Sequence, residues 1–68
     1  MLKMTEEEIK KRVEKAVDRA VGWIDDDRIY QLHLYYACQM AEIIGISRNE
    51  VIDTVKEKLR RDYPHFKE

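Results

Sequence analysis

The chain has 68 residues, enough for one domain but too few for a large core without well-formed helices or a partner. Charged residues make up 40% of it, yet the net charge is −1, which excludes a strongly polybasic nucleic-acid or membrane protein. Its one cysteine, Cys38, excludes an intrachain disulfide and, by itself, a structural zinc site, and suits a reducing compartment.

No run approaches 18 uncharged apolar residues, so no membrane span is expected. Met1 to Glu8 has no signal-like apolar core, and its glutamates argue against a transit peptide. The expected location is therefore the cytoplasm. Amides are few (Gln31, Gln39 and Asn49) while Lys, Glu and Arg are abundant, a thermophile-like bias.

Thr5 opens the first predicted helix, about 5–24, with Glu8 completing a capping box and Glu6 to Glu8 favouring the positive end of the helix dipole. Ile9, Val13, Ala16, Val17, Ala20, Val21 and Ile24 form its apolar stripe. Gly22 and the Asp25-Asp26-Asp27 run end it, and one of those aspartates is expected to cap the next helix.

The second predicted helix covers about 28–44. Ile29, Leu32, His33, Tyr36, Met40, Ile43 and Ile44 are read as its main core face, with Tyr30, Leu34, Ala37, Cys38 and Ala41 extending it. A helix apolar around so much of its girth is expected to be central and covered from several sides. Tyr36 is assigned to the core. Trp23, Tyr30, Leu34, Tyr35 and Cys38 are the candidate interface residues, because Tyr and Trp favour chain–chain contacts.

Gly45 is expected to take the left-handed turn, and Ser47 with Glu50 to form a second capping box. The third predicted helix, about 47–63, carries Val51, Ile52, Val55, Leu59 and Tyr63 on a narrower stripe, and Pro64 stops it. The tail 64–68 is read as loose unless Phe66 folds back. The expected fold is all-α: a three-helix bundle with the middle helix central.

Charge by segment runs from +1 over residues 1–24 to −3 over 25–46 and +2 over 47–61, so the third helix is the mildly basic one. No residue set carries recognisable catalysis, and no enzyme activity or cofactor is expected. His33 has only Ile29, Tyr30, Tyr36 and Ala37 at helical spacing, so no metal-ligand set forms around it, and His65 also lacks one. The aspartate run lacks the spacing of a calcium loop and reads as a capping turn. Cys38 has no basic neighbour in sequence to activate its thiol.

Residues 40–55 carry the functional hint. Ala41, Ile44, Gly45, Ile46, Ser47, Arg48, Val51, Thr54 and Val55 fall on a pattern that resembles the helix-turn-helix of GntR-type repressors. Thr54 departs from the family's usual aliphatic, and Glu50 and Asp53 add negative charge to the third helix. Gly45 to Ile52 is also similar to the inter-helix turn of ribbon-helix-helix repressors, which need a preceding strand that this chain lacks in pattern.

The resemblance implies a small DNA-binding transcriptional regulator, expected as a homodimer on double-stranded DNA. It places Ser47, Arg48, Asn49, Ile52, Asp53 and Lys56 toward the major groove. Arg48 would meet guanine or phosphate and Asn49 adenine, with Lys58, Arg60 and Arg61 available to phosphates. The alternative is a helical protein-interaction or oligomerisation module without nucleic-acid activity.

Overall fold

The computed structural model describes residues 4–64. Three helices follow in order: α1 (Glu6–Gly22), α2 (Asp27–Ile43) and α3 (Arg48–Asp62). Their ends lie within two residues of the expected ones. The readings made for Phe66 and His65, and for most of the tail, fall outside the described residues.

Each helix starts where a side chain satisfies its free N–H groups. The Glu8 N–H donates to Thr5 Oγ1 at 3.2 Å, and the Thr5 N–H donates to Glu8 Oε1 at 3.4 Å, which closes the expected capping box. Asp26 is the aspartate that caps α2: its Oδ1 accepts from the Arg28 and Ile29 N–H groups. At α3 only half of the expected box forms. Ser47 Oγ accepts from the Glu50 N–H at 3.3 Å, and no return bond from Ser47 to the Glu50 carboxylate is present.

The α2–α3 connection is tight. Gly45 has φ +79°, the left-handed conformation that residues with a Cβ rarely adopt. Its N–H donates to the Glu42 carbonyl at 3.1 Å, and the Ile46 N–H donates to the Ala41 carbonyl at 2.9 Å. This pair of bonds is the Schellman closure, and Ile46 packs onto the core beside it.

The core is built from Ile9, Val13, Ala16, Val17 and Val21 of α1, Ala37, Met40 and Ala41 of α2, and Val51, Val55 and Leu59 of α3. The α1–α2 contact is the most extensive. Its small residues, Ala16 and Ala20 on one helix and Ala37 and Ala41 on the other, recur every four positions and let the backbones approach closely. The third helix returns alongside α1: Val51 and Ile46 flank Val13 and Val17, and Lys58 bonds to Asp18.

That alanine row corrects the expected orientation of α2. It turns Ala37 and Ala41 inward, with Tyr30, Leu34, Cys38 and Ile44 packed at the margin of the core. The opposite face of a helix must then point outward. Leu32, Tyr36 and Ile43, expected as core, are exposed. The helix packs against both α1 and α3, as a central helix should, and leaves only this outer face uncovered. Among the described residues no helix is long and apolar enough to cross a membrane.

Candidate functional site

The outward face of α2 carries Leu32 and Ile43, each 65% exposed, with Tyr35 at 64% and Tyr36 at 42%. Leu32, Tyr36, Gln39 and Ile43 are spaced i, i+4, i+7 and i+11, which lines them up along one stripe, with Tyr35 beside it. At 1.5 Å per residue the stripe is about 16 Å long. Leu32, Tyr35, Tyr36 and Gln39 line a shallow hollow of about 380 Å³ with Arg19 and His33.

A second hollow of about 390 Å³ adjoins it in the groove between α1 and α2. Its α1 wall bears Lys11, Arg12, Lys15 and Arg19, and its α2 wall bears His33 and Tyr36. Arg19, His33 and Tyr36 belong to both hollows, so the apolar strip and the basic groove form one continuous surface. The acid in the groove, Glu8, is tied to Thr5 in the capping box.

This basic row was hidden in the sequence because acids alternate with it. At 100° per residue, Lys11, Arg12, Lys15 and Arg19 fall within an arc of about 100° toward α2. Glu14 turns toward α3 together with Lys10, and Asp18, next to Lys11 on the wheel, is held by Lys58 of α3. The charges of α1 are mixed along the chain and partly sorted around the helix, with Glu8 the acid inside the basic arc and Lys10 the cation beside Glu14. A helical-wheel reading of α1 contained this signal.

The proposed DNA-facing residues are distributed as follows. Ser47 is the exposed cap of α3, Asn49, Lys56, Arg60 and Arg61 are exposed, and Ile52 is half-buried. Asn49, Asp53, Lys56 and Arg60 share the outward row by helical spacing, so an acid sits within it. Arg61 lies beside Asp62, with Nε 3.7 Å from Oδ1. Arg48 is set apart from that row. It lines a hollow of about 220 Å³ against α2, with Gln31, Tyr35, Cys38 and Glu42.

Of the candidate interface residues, Trp23 and Tyr35 are exposed, Trp23 at the C-cap of α1. Tyr30, Leu34 and Cys38 are half-buried and pack against the margin of the core, turned there by the alanine row. Burial, with the charge of Asp27 nearby, raises the Tyr30 hydroxyl pKa above its ordinary value. Burial likewise raises that of the Cys38 thiol, and Arg48 opposes the shift without cancelling it. The cation missing from the sequence neighbourhood of Cys38 thus arrives from α3. The resulting thiol is protonated at neutral pH and a poor nucleophile.

Among the described residues no three His, Cys, Asp or Glu side chains come together as a metal site. No protein-family model matches the chain, and no curated protein or solved structure matches it.

Proposed function

We propose that this chain is a helical protein-interaction module that receives a partner segment on the outer face of α2. The observation that carries this reading is the exposed line of Leu32, Tyr35, Tyr36 and Ile43. Single exposed apolar residues are ordinary, but a contiguous apolar strip rimmed by polar groups marks an interaction surface. Burying a Leu or Ile side chain is worth about 1.5–3 kcal/mol, and here two of them, with two tyrosines, contribute little to the core. Helix-in-groove recognition uses anchors at i, i+3 and i+4, the spacing of Leu32, Tyr35 and Tyr36, with Ile43 two turns beyond Tyr36.

The test is selection of displayed helix-forming peptides on the immobilised protein. The expected binders lose affinity on Leu32→Ser/Ile43→Ser and keep it on Lys56→Ala/Arg60→Ala. Peptides enriched only through α3, or none enriched at all, would overturn the reading.

A DNA-binding regulator of helix-turn-helix type is the second reading. The close Gly45 turn, with Ile46 seated between the helices, favours it. The acids of the α3 surface weaken it, since Glu50, Asp53 and Glu57 stand among its cations and leave it only mildly basic. Binding to mixed-sequence duplex DNA across a salt series decides this point. A regulator requires affinity that falls steeply with salt through counterion release and that drops on Lys56→Ala/Arg60→Ala.

A further inference from the structure

We infer that the partner segment is an acidic amphipathic helix, its apolar face on the α2 strip and its carboxylates along the α1 basic row. This inference rests on the interaction-module reading and adds the chemistry of the partner. The strip is bordered on one side by Lys11, Arg12, Lys15 and Arg19, and His33 and Tyr36 join the two regions. The row runs over nine residues, a rise of about 12 Å or slightly over two helical turns. None of its four cations has an ion-pair partner among the described residues. The opposite border of the strip is mixed, with Gln31, Glu42 and Arg48. A complementary ligand is therefore apolar along its centre and acidic along one edge.

A second copy of the chain fits less well, for a reason of symmetry. Two α2 strips paired antiparallel about a two-fold axis bring the same border of each copy to the same side. Lys11, Arg12, Lys15 and Arg19 would then face their own equivalents, and like charges across an interface are unfavourable. Parallel pairing offers the row Glu42 as its one carboxylate among the bordering residues. A nucleic acid would use the cations but leave Leu32 and Ile43 in water. An anionic bilayer is served best by cations on both borders of an apolar stripe, whereas this one has a basic border on one side.

The experiment uses the isotope-labelled 68-residue chain with assigned backbone amides and three synthetic 18-residue helical peptides. All share leucines at i, i+4, i+7 and i+11, and one edge carries Glu, Gln or Lys. The Glu peptide is expected to shift the amides of Leu32, Tyr36 and Ile43 together with Lys11, Lys15 and Arg19. It should bind about tenfold or more tightly than the Lys peptide through several rim ion pairs, a gap that closes as salt rises. Lys11→Glu/Lys15→Glu should reverse the preference, and Leu32→Ser/Ile43→Ser should remove binding of all three. These positions are exposed, and circular dichroism checks that the variants stay folded.

Equal binding of the three peptides, lost on Leu32→Ser/Ile43→Ser, would overturn the acidic partner and leave the interaction module standing. Absence of any shift along α2 would overturn both. Tighter binding of mixed-sequence duplex DNA or phosphatidylglycerol vesicles, insensitive to Leu32→Ser, would overturn the acidic helix in favour of that polyanion.

Discussion

Lys58 of α3 donates a hydrogen bond to Asp18 of α1, joining two helices forty positions apart in sequence. The Lys58 side chain is three-quarters covered, whereas Asp18 is 63% exposed, so solvent screens the pair. Such pairs contribute about 0.2–1 kcal/mol. Lys58→Ala and Asp18→Ala are each expected to lower stability within that range, with a positive coupling energy in a double-mutant cycle. The coupling should shrink in high salt. A coupling of zero at low salt would mean the contact does not hold α3 in place.

Gly45 and Gly22 make a contrasting pair. A Cβ at either position would meet no atom within 4 Å, so space does not distinguish them. Backbone conformation does. Gly45 has φ +79°, and Gly45→Ala is expected to cost about 1–2 kcal/mol. Gly22 closes α1 with no positive φ, and Gly22→Ala is expected to stabilise by about 0.5–1 kcal/mol by restricting the unfolded chain. Urea midpoints of the two variants should move in opposite directions.

The capping residues Thr5, Asp26 and Ser47, the Gly45 turn and the stop before Pro64 were legible because each acts over a few neighbouring residues. The rotation of α2 was not. With apolar residues around most of its girth, its sequence allows several burial faces, and the choice falls to the helix it packs against. Ala16 and Ala20 admit only a close-packed partner face, which Ala37 and Ala41 supply and Leu32 or Tyr36 would hold apart. The row of small residues was present in the sequence, but its meaning depends on both helices together. The basic groove stayed hidden for the related reason that it spans α1 and α2.

That rotation gives a direct stability test. Val55 is 1% exposed in the centre of the bundle, and Val55→Ala is expected to cost about 2 kcal/mol from lost burial and the cavity left behind. Leu32→Ala removes more atoms yet should change stability by no more than about 0.5 kcal/mol, and Tyr36→Ala and Ile43→Ala should each cost less than Val55→Ala. Thermal denaturation of the four variants orders them. A cost at Leu32 equal to that at Val55 would place Leu32 in the core and remove the α2 docking face.

Alkaline pH should weaken the fold through Tyr30 and Cys38. Burial, with the Asp27 charge, raises Tyr30 above its ordinary value of 10.0, and burial raises Cys38 above 9.0. Both groups therefore hold their protons more tightly folded than unfolded. Their stabilising contribution is complete below the unfolded values and is lost as pH climbs through the raised ones, beginning near 9.0 for the thiol and 10.0 for the phenol. Urea midpoints should be compared between pH 7 and pH 11 for the wild type and for Tyr30→Phe/Cys38→Ala. The double variant is expected to lose less stability than the wild type above pH 9. Identical slopes would mean that neither buried group governs alkaline unfolding.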